Sequence, residues 1–149
     1  MTGETVVRGV EVSLAREKAF GAWHRHIHLW WPASHRLSGD PASRMVFEPC
    51  AGGRIFERAT DGREFDWGLV EVWEPPERIV HTWQPGGPRD RRSRVTIEFT
   101  PIAAGRTRVR VTHTPGELAR EEWERAQARF TAGWDAIVKA FANPREVEP

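Results

Sequence analysis

The sequence predicts an α+β domain in which an antiparallel sheet is covered on one face by a long C-terminal helix. Three observations carry this expectation. The stretch from Gly116 to Asn143 places Trp123, Phe130, Trp134, Ile137, Val138 and Phe141 at intervals of one or two helical turns, which makes a single apolar stripe about 100° wide. Between Arg44 and His113, short runs rich in Val, Ile, Thr, Phe and Trp alternate with Gly and Pro turn signals, the pattern of strands joined by short turns. One strand and two short helices come before them, so the helices fall on one side of the sheet.

Taken in order, Thr5 to Ser13 reads as a first strand, with Val6, Val10 and Val12 on one parity. Ser13 is the candidate cap of a helix from Ala15 to Trp23 that buries Leu14, Phe20 and Trp23. His24 to Trp31 is a second helical turn, stopped by Pro32. Met45 to Glu48 and Arg54 to Arg58 are strands separated by Pro49 and the Gly52-Gly53 pair, and Asp61-Gly62 is a hairpin turn. Glu64 to Trp73 follows, then a turn at Pro75-Pro76 and a strand from Arg78 to Gln84. Pro85 to Pro88 opens a loop, and Arg94 to Thr100 with Thr107 to His113 forms the last hairpin.

In that hairpin Val95, Ile97 and Phe99 share a face with Val109, Val111 and His113, while Thr96, Glu98, Arg108 and Arg110 point the other way. Glu98 is the expected partner of the arginines at 106, 108 and 110. Both parities of Glu64 to Trp73 are apolar; the reading favours Val70 and Val72 inward with Gly68, although periodicity alone leaves this open. The final helix, about 24 residues and roughly 36 Å long, can roof most of a sheet. Glu121 with Arg125 and Asp135 with Lys139 have the spacing of ion pairs on its outer side. Gly133, which costs about 1 kcal/mol relative to alanine in a helix interior, sits beside Trp134. A missing side chain there implies close approach to a strand or room left for something else.

The 149 residues suit one domain spanning 1–149 with its core at about 5–142. Lysine and arginine number 22 against 21 aspartate and glutamate, a net charge of +1, so no global field draws the chain to nucleic acid or to an anionic membrane. No run approaches the roughly 18 apolar residues of a membrane span. The single cysteine, Cys50, allows no internal disulfide, and no signal-peptide pattern opens the chain, so a cytoplasmic location is expected. Eight Trp and seven Phe stand against no Tyr. Rigid rings of this kind fill cores, and they also line cavities for flat apolar ligands.

The run from Trp67 to Trp83, WGLVEVWEPPERIVHTW, resembles the central hairpin of the homologues of the activator of heat-shock-protein-90 ATPase. Trp30-Trp31-Pro32, the stretch from Pro49 to Gly53 leading into Arg54, and Gly133-Trp134 match as well. Together they span Val6 to about Phe141. The resemblance implies the START-like, Bet v 1-like helix-grip fold: a curved seven-stranded antiparallel sheet wrapped around a long C-terminal helix, two short helices after the first strand, and an apolar cavity between sheet and helix. It covers ligand carriers, cyclases, hydrolases and chaperone cofactors, so activity has to be argued from the site.

If the parities hold, Trp30, Phe56, Ile79, His81, Trp83, Ile97, Phe99, Val109, Val111, His113, Phe130 and Trp134 converge between sheet and helix. A filled core is the plain reading of such a set; the resemblance favours a cavity in which His81 or His113 orients a ligand. His24 and His28 have a spacing two zinc ligands can use, but Arg25 stands where a metalloprotease helix carries its glutamate. Neither a metal nor an organic cofactor is expected. The basic stretch Arg89 to Arg94 has no aromatic platform beside it and reads as a solvated hairpin tip. No Gly-x-Ser-x-Gly elbow is present, Cys50 has no assigned histidine, and Gly52-Gly53 lacks the lysine and hydroxyl of a phosphate loop.

The leading expectation is a protein that binds a small hydrophobic, lipid-like or aromatic ligand in the cavity. An enzyme of the cyclase, dehydratase or hydrolase kind is the first alternative, and a chaperone-ATPase cofactor or interaction module the second. A chaperone partner is not favoured, because the resemblance covers one domain without the separate N-terminal domain of known chaperone activators. The resemblance admits a homodimer, and no exposed stripe in the sequence marks its interface.

Overall fold

The structure is a computed structural model and describes residues 5–85 and 92–142. The strands are β1 (Val6–Val12), β2 (Arg44–Phe47), β3 (Arg54–Arg58), β4 (Glu64–Glu74), β5 (Arg78–Trp83), β6 (Ser93–Ala103) and β7 (Arg106–Thr114), and the helices α1 (Arg16–Arg25), α2 (Ile27–Trp30) and α3 (Arg120–Ala142). The seven strands form one antiparallel sheet in the order β1-β7-β6-β5-β4-β3-β2. This is the helix-grip arrangement, a curled sheet closed on one side by the long helix.

The last hairpin has the expected register. Val95 lies opposite His113, Ile97 opposite Val111 and Phe99 opposite Val109, and all six are fully buried. Helix α3 lays Trp123, Trp134, Ile137, Val138 and Phe141 onto this face. Its first turn is tied by the Glu122 carboxylate, which accepts the Ala119 N–H at 2.9 Å, the acidic half of a capping box.

Several local expectations are corrected. Helix α1 begins with Ala15 at its N-cap and no side-chain cap, so Ser13 does not serve. The two short helices break at His26, which puts His24 and His28 on different helices. Asp135 reaches across to Arg8 of β1 at 2.5 Å rather than along the helix to Lys139, and thereby links α3 to the edge strand. Arg106 and Arg108 pair with Glu11 of β1, because β7 lies between β1 and β6 and both neighbours are within reach. Of the basic stretch at 89–94, residues 89–91 lie outside the described residues; Arg92 and Arg94 pair with Glu117 and Glu71.

The largest departure is in β4. Its register shifts between Ile55 and Phe56 on one side and between Val70 and Val72 on the other, and each extra residue reverses the parity that follows. Trp67 and Val70 are buried and Val72 is only half-buried. Trp73 turns toward Phe20 and His24, with ring centroids 5.1 and 4.8 Å away. The inward set is therefore Trp67, Gly68, Val70 and Trp73, and the expected Val72 is not in it.

Gly68 lets β4 and β5 approach each other. A Cβ at this position would stand 2.0 Å from the Thr82 carbonyl oxygen, and backbone cannot yield as a side chain tip does. Gly68→Ala is expected to destabilise the protein by about 2 to 3 kcal/mol, read as a lower midpoint in urea denaturation.

Candidate ligand site

The residues expected to surround a cavity mostly fill it. Ile79, Ile97, Val109 and Val111 are at most 1% exposed and form the floor of the sheet. Trp30 stacks with Trp23 and Phe141 at 4.7 and 4.9 Å, with its indole N–H donated to the Ala22 carbonyl. Phe99 packs on Phe20 at 5.1 Å. Phe56 is buried at 3% exposure, but it alternates with Ile55 and lies outside the contiguous core cluster, with the Arg54 guanidinium 4.0 Å over its ring, and it does not line the open space described below. The two inward histidines are buried beneath these rings and border none of the open space described below.

His113 has its proton placement dictated by its neighbours. The Trp134 indole N–H, which can only donate, reaches His113 Nδ1 at 2.9 Å. The neutral ring therefore carries its hydrogen on Nε2 and donates it to Ser93 Oγ at 2.6 Å. Ser93 in turn donates to the Trp83 carbonyl at 3.2 Å. The chain of protons runs from helix to sheet, and Nε2, already protonated, has no lone pair with which to take the Ser93 proton. This contact holds α3 in place and does not activate a nucleophile. His81 Nδ1 donates to the Thr82 carbonyl at 2.8 Å, with its ring against Phe47 and Trp83.

Open space remains at one end of the grip, under the middle of α3. An inner slot of about 170 Å³ is walled by Trp31, Trp67, Trp83 and Trp134, with Phe130, Ile137, Gly133 and His35 around them. An outer chamber of about 540 Å³ adjoins it and shares Trp83, Pro85, Arg129 and Phe130. Leu37, Leu118 and Ala126 supply its apolar wall, and Gln84, Ser93, Glu122, Arg125 and Arg129 its polar one. The slot has about the room that one benzene-sized ring needs, and the chamber falls within the usual range of small-molecule sites.

Each wall is held from behind. Gly133 borders the slot; a Cβ there would meet the His35 ring at 3.9 Å, an ordinary contact, so close approach of a strand is not what requires this glycine. The Trp31 indole N–H donates to the His35 carbonyl at 3.2 Å, and Arg36 donates to the carbonyls of His28 and Trp31. The buried Glu57 carboxylate accepts the N–H groups of Leu37 and Ser38 at 2.6 and 3.0 Å. One donor in the slot's walls is unspent: the Trp67 indole N–H is buried without a partner among the described residues, at a cost of about 1 to 3 kcal/mol.

Of the twelve residues expected from the sequence, Trp83, Phe130 and Trp134 line this space. Trp31, His35, Trp67, Pro85, Arg129 and Ile137 were not among them. The Trp-Trp-Pro run contained a signal for Trp31, and the apolar stripe of α3 one for Ile137. Nothing local marks His35 or Arg129. Among the described residues no three His, Cys, Asp or Glu side chains gather as metal ligands, and no helix is long and apolar enough to cross a membrane.

A curled antiparallel sheet gripping one helix, with an aromatic pocket between them, defines the START-like, Bet v 1-like class. Within it, the chain belongs to the family described as Activator of Hsp90 ATPase homolog 1-like protein, whose model matches residues 13–143. The solution structure of the self-sacrificing resistance protein CalC from Micromonospora echinospora is similar over 95% of this chain and 94% of its own, with 26% identity and a TM-score of 0.73. An anthrahydroquino-γ-pyrone synthase, Txn09, is 28% identical over 96% of this chain and 99% of its own, with a TM-score of 0.62. An Hsp90 activator from Plasmodium falciparum, 20% identical over 91% of both chains with a TM-score of 0.63, shows the shared fold alone. A comparison with curated proteins found no match.

Burial lowers the pKa of His81 to about 4 and that of His113 to about 3, the latter helped by repulsion between the two rings. In the unfolded chain both titrate near 6.5. Below pH 6.5 the unfolded chain therefore binds protons that the folded protein refuses, and stability falls as pH falls through the window from 6.5 to about 4. The limiting slope is about 1.4 kcal/mol per pH unit for each histidine. Thermal melts from pH 7 to pH 5 are expected to show a falling Tm, and His113→Gln to show a shallower fall.

Proposed function

We propose that the protein binds a flat aromatic small molecule, with one ring in the indole-walled slot beneath Gly133 and the rest of the ligand in the outer chamber. The observation that carries this reading is the slot itself: four indoles and a phenyl ring face a space that a glycine, unfavourable in mid-helix, leaves unfilled. Apolar burial at about 25 cal/mol per Å² supplies the affinity, and ring stacking against Trp83 and Trp134 the orientation. The unspent Trp67 N–H favours a ligand with an acceptor oxygen on or beside the inserted ring. The two relatives above 25% identity support it: one is a resistance protein, and the other is named for a fused-ring aromatic product.

A second reading, chemistry on the bound ring system, has its own supporting observation in the His35 imidazole at the slot wall. It requires turnover of an aromatic substrate that falls at least tenfold in His35→Gln. The chaperone reading has only the family description and a likeness of fold behind it.

Gly133 separates binding from stability. Gly133→Ala is expected to raise stability by up to about 1 kcal/mol, since it removes a helix-interior glycine and meets no close neighbour. Gly133→Leu is expected to keep the fold and abolish ligand binding by filling the slot. Circular dichroism melts together with quenching of tryptophan fluorescence by a polycyclic aromatic such as N-phenyl-1-naphthylamine measure both. Binding that survives Gly133→Leu unchanged would show that the slot is not the site.

A further inference from the structure

We infer that the ligand is an aromatic acid, whose ionised oxygen is held at the mouth of the outer chamber by Arg125 and Arg129. This rests on the reading of slot and chamber as a ligand site. The two arginines are one helical turn apart on α3, and both border the chamber. Neither makes an ion pair among the described residues. Glu121 has the right spacing for Arg125, yet the salt bridge in this part of the helix is Arg120 with Glu124. Arg129 instead lies with its guanidinium 5.2 Å over the Phe130 ring, on the wall shared by slot and chamber.

The remaining polar side chains of the chamber are engaged within the protein. Gln84 is 5% exposed and spends its amide oxygen on the Thr82 hydroxyl at 3.1 Å. That hydroxyl also accepts the Leu69 N–H. The hydroxyl proton of Ser93 is already committed to Trp83. The one carboxylate in the lining, Glu122, turns an oxygen back to the Ala119 N–H at the start of α3.

The chamber thus carries two cationic guanidinium groups beside this single carboxylate. A neutral hydrocarbon gains nothing from these charges, whereas a carboxylate, sulfonate or phenolate accepts charge-assisted bonds from them. Inner rings and outer donors together describe an amphipathic molecule, apolar at the end that enters first and anionic at the end left at the mouth.

Two dyes that differ only in one sulfonate test this: 1-anilinonaphthalene-8-sulfonate and the neutral N-phenyl-1-naphthylamine. Each is titrated by fluorescence into the full chain and into Arg125→Gln/Arg129→Gln. The anionic dye is expected to bind the unaltered protein about tenfold tighter. That preference should shrink at high salt and fall below about twofold in the double variant, with the neutral dye's Kd moving less than threefold. Equal affinity of the two dyes for the unaltered protein, or a preference that survives the double variant, overturns the inference while leaving the pocket reading intact. Failure of both dyes to bind removes the pocket reading, and this inference with it.

Discussion

The hydrogen bond from the Trp134 indole to His113 Nδ1 is the constraint on which the arrangement of helix and sheet rests. Aromatic burial drives α3 onto the sheet, but burial is non-directional, and a smooth face of rings would tolerate a helix rotated or slid by part of a turn. A polar bond inside that layer does not, because a displaced Trp134 would leave an indole N–H and an imidazole nitrogen unpaired away from water. Through Ser93 the same chain reaches the Trp83 carbonyl at the end of β5. One relay therefore sets the position of two of the indoles that wall the slot.

Most of the aromatic surplus is spent on packing. Trp23, Trp30, Phe20, Phe99 and Phe141 make a continuous set of edge and tilted contacts at the α1 and α2 end of the grip. The other end is open because the side chains that would fill it are missing or held back. Gly133 contributes none, Glu57 and Arg36 hold the segment before β2 as a wall, and Trp67 is drawn to that wall by the bulge in β4. The pocket is what remains between elements fixed for other reasons, and this gives it rigid sides.

Function in this family has to be assigned from such a site. Two fully buried histidines look like candidate acids or bases in the sequence, yet one spends its N–H on a backbone carbonyl and the other is locked into the relay in the tautomer that cannot serve Ser93. The groups that border open space are instead the rings of the slot and the arginines of the chamber. On the reading proposed above, their chemistry is recognition, by stacking within and by charge-assisted bonding at the mouth.

The sequence by itself determined the order of elements, the length and apolar stripe of α3, the inward face of the last hairpin and the unusual glycine at 133. These are local: each depends on a periodicity of 2 or 3.6 that neighbouring residues report together. The tertiary structure decided the rest. Bulges broke the period of β4, so Trp67 and Trp73 went inward and Val72 did not, and no alternation rule can register an inserted residue. Alternation along β3 put Phe56 on the arginine-covered face. His35, Arg129 and Gln84 became site residues only because a turn, a helix and a strand end meet at one place, and proximity across more than forty residues of chain leaves no mark in local pattern. Whether a cluster of rings fills a core or lines a pocket is a question of packing, because it depends on how closely side chains from distant parts of the chain, such as His35 and Gly133, come together.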